Sequence, residues 1–192
     1  MKMLVSLLVL ALSAAPVLAD LDPDQDVFGV FFDTAGNMAS ITTAPFVPIT
    51  AYVLLLNPAG PTNGCEFSVT RTGAEHFVLS TSCACAMTDG CTIEGNDYWI
   101  VCGSDFPVPA SGAVVLVTWS IMLQSSSELL FRIGPASIPS MPGGLPVLTG
   151  NGILRLGAVA SGDVGLPVAG INAGNCPVSE EVSAFGALKS LF

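Results

Sequence analysis

Positive charge is nearly missing from this sequence. Five Lys and Arg stand against fifteen Asp and Glu, with a single histidine, for a formal net charge of −10. Nucleic acid and anionic membrane surfaces are held by clustered Lys and Arg, so neither is an expected partner. Charge of either sign is scarce, at 10% of residues, where about 25% is usual. Ser, Thr, Asn, Gly and backbone must therefore keep the surface wet, and a partner is expected to cover part of it.

Several kinds of catalytic apparatus are missing too. His76 is the only histidine, and no serine sits on the Gly-x-Ser-x-Gly elbow that presents a hydrolase nucleophile. It reads as a strand histidine on a mixed face. Glu66, Glu75, Glu94 and Asp97 could serve a glycosidase, but almost any chain meets that requirement. No Gly-rich loop with a lysine is present to cradle a phosphate. The sequence predicts no enzyme and no cofactor.

No apolar run is long enough to span a bilayer, which takes roughly 20 residues. The run from Met3 to Leu12 is shorter, follows the basic Lys2, and leads through Pro16 to the small Ala19. That order is a secretory signal peptide over residues 1–19. The working protein then begins at or near Asp20 and is secreted, placed in the extracellular space, on the cell surface or in the periplasm. Residues 20–178 are expected to form one domain.

Before residue 179 no long stretch repeats apolar residues at helical spacing, while β-branched runs broken by Gly, Pro, Asn and Ser recur. Strands are expected at Val27 to Phe32, Pro48 to Leu56, Cys65 to Thr70, His76 to Ser80, Tyr98 to Cys102, Ala113 to Leu123, Glu128 to Ile133, on both sides of Gly150-Asn151-Gly152, and at Val164 to Ile171. Pro48 to Leu56 is apolar on both faces and reads as central. Cys65, Phe67 and Val69 alternate inward, leaving one wet face. Pro135 to Pro146 reads as a long irregular connection. Two packed antiparallel sheets are the expected solution, an all-β two-sheet antiparallel sandwich.

A tail over residues 179–192 departs from this pattern. Val182, Phe185, Leu188 and Leu191 fall on one face of a short C-terminal amphipathic helix, opened by Glu180 and Glu181 and closed near Lys189. So short a helix needs something to pack on, either its own sandwich or a partner.

The succession Ala51-Tyr52-Val53-Leu54-Leu55-Leu56-Asn57-Pro58, followed by Gly64-Cys65-Glu66-Phe67-Ser68-Val69, resembles cohesin-like β-sandwich modules, where a similar strand pair carries a Gly-aromatic-Glu-Phe run. Cys65 stands here in place of the aromatic. The chain also resembles a loose group of exported bacterial β-sandwich proteins through Pro142-Gly143-Gly144-Leu145-Pro146 and Phe185 to Phe192. These likenesses imply a cohesin-like or carbohydrate-binding-module-like fold and a non-catalytic binding or assembly role with a protein or glycan partner. They imply no binding residues.

Cys65, Cys83, Cys85, Cys91, Cys102 and Cys176 form an even set, and export makes disulfides the first reading. No Cys-x-x-Cys pair supports zinc. One arrangement joins Cys85 to Cys91 and Cys83 to Cys102, leaving Cys65 for Cys176; the sequence does not choose among the complete pairings. Asp22, Asp24, Asp26 and Asp33 fit part of a calcium-loop frame, but Val27 occupies the position that needs glycine. They read as solvated acids, as do Asp89, Glu94 and Asp97 in the Cys-rich loop. Tyr98 and Trp99 are adjacent on a strand, so one faces inward and the other is a candidate ligand contact. Trp119 reads as core. The function expected is a secreted, non-enzymatic binding or assembly module; a glycan-binding module and, below it, a secreted hydrolase are the alternatives.

Overall fold

The computed structural model describes residues 24–85 and 90–174. The expected signal peptide, Asp22, Asp89, Cys176 and the tail with Val182, Phe185, Leu188 and Leu191 lie outside the described residues. The described residues form strands and turns arranged as two sheets.

The first sheet has the order β12 (Ala158–Val159), β1 (Val27–Phe31), β3 (Pro48–Leu56), β8 (Ala113–Leu123) and β5 (His76–Cys83). Its centre is the apolar run of β3, paired antiparallel to β1 on one side and β8 on the other. One face of that run, Ala51, Val53 and Leu55, enters the main core; the other, with Leu54 and Leu56, packs with Val27, Phe31, Ala39 and Ala113 in a smaller cluster. Burial on both faces is why β3 does not alternate with polar residues.

The second sheet runs β11 (Ile153–Leu156), β10 (Val147–Gly150), β4 (Gly64–Gly73), β9 (Leu129–Gly134), β13 (Ala169–Ile171) and β2 (Ser40–Ile41). On the other edge of β4 lies β7 (Asp97–Val101), followed by β6 (Cys91–Glu94). Pairing is antiparallel except for β1 with β12 and β2 with β13. The β10–β11 hairpin turns on Asn151 and Gly152, both at positive φ (52° and 74°), the left-handed geometry that a two-residue hairpin needs and that Asn-Gly supplies.

Strand β4 organises this sheet. Residues 68–73 pair with β9 and residues 64–66 with β10, so those two strands continue along β4 and the Pro-rich segment 135–146 loops out between them. Between the sheets, Phe28, Phe67, Tyr98, Trp119 and Phe131 form a chain of ring contacts with centroids 5.1–6.2 Å apart. Such offset or edge contacts add to the area these rings bury.

Three expectations are corrected. The last strand is only Ala169–Ile171, because the preceding segment is spent on turns, with Gly162 at φ 74° and the Asp163 carboxylate accepting from Gly165 N–H. Strand β5 continues past Ser80 to Cys83 along β8. The disulfides join Cys83 to Cys91 and Cys85 to Cys102, with Cα separations of 6.2 and 5.5 Å, within the ordinary span of a disulfide. Cys83 and Cys91 end the edge strands β5 and β6 and meet across the open side of the sandwich, while Cys85 has turned, at φ 61°, toward the end of β7. Cys65 has no disulfide partner among the described residues.

Candidate functional site

Opposed residues in a strand pair share a face, so the register fixes which side chains look outward from the second sheet. Glu66 lies opposite Trp99 and Val147, Gly64 opposite Val101 and Thr149, and Leu154 beside Thr149. The inward partners are Cys65, Phe67, Tyr98, Ile100 and Leu148, all buried. Of the adjacent aromatic pair, Tyr98 is therefore the core residue, stacked on Phe67, and Trp99 the outward one.

The outward residues enclose a shallow cavity of about 200 Å³, lined by Trp99, Val101, Val147, Thr149 and Leu154, with Glu66 and Ser140 on one wall. Its rim is apolar and wet: Val101 is 58% and Leu154 43% exposed. The wall beside Ser140 carries one carboxylate. Glu66 is buried beneath the looped-out segment, where it accepts hydrogen bonds from Ser140 N–H and, at 2.7 Å, from Ser140 Oγ. Asp97 does the same one strand away, accepting from Ser137 N–H at 3.0 Å.

The wet face of Cys65 to Thr70 and the Cys-rich loop lead the sequence to predict solvated carboxylates at both positions. They are instead the pegs that hold residues 137–140 down as a strap over the sheet, because each carboxylate meets an otherwise unpaired backbone donor of the irregular segment. The pair looks out from the same face, which is the arrangement a hydrolase would need, yet both acids are bonded to the strap.

Asp26 is likewise not a solvated acid. It is buried at the start of β1, accepts from Ala59 N–H at 3.0 Å, and forms a two-point ion pair with Arg155 at 2.6 and 3.0 Å. Arg155 also donates to Thr62 Oγ1. Asp33 caps the turn after β1, accepting from Gly36 and Asn37 N–H, and Asp24 is exposed but partnered. The structure does not bring these three acids together, and no group of three or more metal-ligating side chains occurs among the described residues. His76 Nδ1 lies 2.9 Å from Ala74 O.

Burial, and then the charge of Glu66, push the Cys65 thiol far above its ordinary titration range. Cys65 is a core residue whose thiol is kept protonated by burial. The outward direction of Glu66 was readable from the alternation of Cys65, Phe67 and Val69; that a segment some seventy positions later covers it was not.

No family model matches the chain, and no curated protein sequence does. Among solved structures it is similar to cohesin modules. One is the sixth cohesin of Acetivibrio cellulolyticus scaffoldin B, solved with a dockerin, 14% identical over 77% of this chain and 99% of that one, with a TM-score of 0.46. A non-cellulosomal cohesin of Archaeoglobus fulgidus is 10% identical, covering 83% and 96%, with the same TM-score. A type II cohesin of Acetivibrio cellulolyticus is 14% identical, covering 78% and 96%, at 0.45. On its own strand pairing, the chain is an all-β sandwich similar to cohesin modules.

Proposed function

We propose that the protein is an exported, non-enzymatic binding or assembly module of the cell surface or extracellular space, and that the outer face of the second sheet makes the contact. The observation that carries this reading is the apolar cavity on that face, rimmed by Trp99, Val101 and Leu154 and bounded by the strap. Exposed apolar side chains grouped around a preformed hollow are what a partner surface requires. The two disulfides support an oxidising compartment. Residues 1–19 act as the export signal in this reading, 20–178 as the sandwich, and 179–192 as a tail that docks on the sandwich or on the partner through Val182, Phe185, Leu188 and Leu191.

The test is association of the purified protein with cell-envelope material, comparing the native protein with Val101→Asp and Leu154→Asp. Placing a charge on the rim should abolish association while leaving the fold intact by circular dichroism. Equal association of all three proteins, or none by the native one, overturns the reading.

Trp99 favours a second reading, a glycan-binding module. Its half-buried ring stands beside the Glu66 carboxylate, and a flat apolar surface next to a hydrogen-bond acceptor suits a sugar ring. A glycan array settles it: binding that disappears in Trp99→Ala supports this reading, and an empty array or unchanged binding rejects it.

A further inference from the structure

The second unusual feature lies at the side of the sandwich, away from the cavity. Strand β5 ends the first sheet and β6 ends the second. The register places Val78 and Thr81 on the inner face, opposite Ile121 and Trp119, and Ile93 on the inner face opposite Tyr98. Inner-face residues of a closed sandwich are buried. Here Val78 is 39% exposed, Ile93 44%, and Thr81 is exposed as well, so the two sheets stand open between these edges. The Cys83–Cys91 disulfide closes one end of the gap.

Three hydrogen-bond donors lie behind this opening. Arg71 continues the inward row of Cys65, Phe67 and Val69 on β4, and its guanidinium carbon sits 5.6 Å from the centre of the Trp119 ring on the opposite sheet. Arg71 is half-buried, and its Nη1 and the Trp119 Nε1, both buried atoms, have no geometric hydrogen-bond partner among the described residues. Tyr98 packs edge-on to Trp119 at 6.0 Å and is influenced by both groups. The other described cations are engaged: Arg155 with Asp26, and Arg132 with Thr72 Oγ1 and Gly165 O. A buried guanidinium nitrogen without an acceptor is costly, and beside it the Tyr98 hydroxyl offers Trp119 only an uncharged oxygen.

We propose that the open edge between β5 and β6 is a binding site for a carboxylate, received by Arg71 with the indole N–H of Trp119 and the hydroxyl of Tyr98. The charge count selects the ligand. One cation with no second beside it balances a monoanion and would leave a phosphate dianion uncompensated. The guanidinium fork matches two carboxylate oxygens, and the apolar mouth of Val78 and Ile93 suits the hydrocarbon stem of a Glu or Asp side chain. The carboxylate can come from a partner or from Glu180 and Glu181 of this chain's own tail.

The experiment follows the Trp119 indole N–H resonance of the full chain by NMR, assigned with Trp99→Phe, during titration with sodium acetate against sodium chloride at equal ionic strength. A saturable shift with acetate alone, weakened at least tenfold in Arg71→Leu and partly restored in Arg71→Lys, is the expected result. Tyr98→Phe, which keeps the ring, should weaken binding less. If the native chain is silent but Glu180→Gln/Glu181→Gln responds, the tail is the source of the carboxylate. If neither chain responds to acetate, if chloride gives the same shift, or if Arg71→Leu responds as the native protein does, the proposal is overturned.

Discussion

Removing the Glu66 carboxylate should release the strap locally without unfolding the sandwich. Ser140 is exposed, and its backbone N–H and hydroxyl both donate to Glu66, while Asp97 separately holds Ser137 N–H. A hydrogen bond to a charged acceptor is worth about 1.5–3 kcal/mol. At about 1.4 kcal/mol per factor of ten, losing the Ser140 anchor should speed exchange of its amide by roughly ten- to a hundredfold. Glu66→Ala removes both acceptors. Glu66→Gln keeps one amide oxygen and should give the lower end of that range. The assay is native-state hydrogen exchange resolved to single amides, with Ser137 and the β4 amides as internal references. Ser137 should keep its protection in Glu66→Ala and lose it in Asp97→Ala. Unchanged Ser140 exchange in Glu66→Ala would refute the peg argument, because the strap would then be held by something other than its carboxylate contacts. Equal acceleration at Ser137, Ser140 and β4 would refute it differently, showing that Glu66 supports the whole sheet.

Three further outcomes follow from the same geometry. Peptide mapping under non-reducing conditions should recover Cys83 joined to Cys91 and Cys85 joined to Cys102; from loop-closure entropy, replacing either pair by serine should cost about 2–3 kcal/mol in urea unfolding. Arg155→Met leaves the buried Asp26 carboxylate without its ion-pair partner and should destabilise by about 2–4 kcal/mol, less than a fully buried pair because Arg155 is partly exposed. That cost should fall well below the single-variant value when Asp26→Asn is added, and simple additivity would show the pair to be uncoupled. Stability should also fall as pH rises above about 9, because the thiol of Cys65 titrates near its ordinary value of 9.0 when unfolded but burial pushes it far above that when folded. The folded state then holds the proton that the unfolded state releases, so ΔG of unfolding declines with pH; Cys65→Ala should remove that part of the slope, and an unchanged slope would reject the assignment.

The parts of this fold that were legible in the sequence rest on short-range regularities. Pro48–Leu56 and Ala113–Leu123 were readable end to end because an unbroken β-branched and apolar run has no competing period, and the Asn151-Gly152 turn because few residues tolerate positive φ. Strands β2, β6 and β12, of two to four residues, were not readable, since so short a segment shows no alternation and is defined only by its partner. The same limit hid the clamp between Asp26 and Arg155, 129 positions apart, and the strap, whose proline spacing announced irregularity but not where it lands. Between Tyr98 and Trp99, alternation fixed that the two differ, while stacking on Phe67 fixed which turns inward. Arg71 is the instructive case. The parity of Cys65, Phe67 and Val69 already points residue 71 inward, provided the strand continues, and a charge at that position is the ordinary reason to end it at Thr70. The strand does continue, to Gly73, so the residue that looked like the exit from the core is the cation inside it. A polar residue that violates the pattern on a strand held by pairing on β9 is retained against a desolvation cost, and that cost is what makes the open edge beside Arg71 a place to look for a ligand.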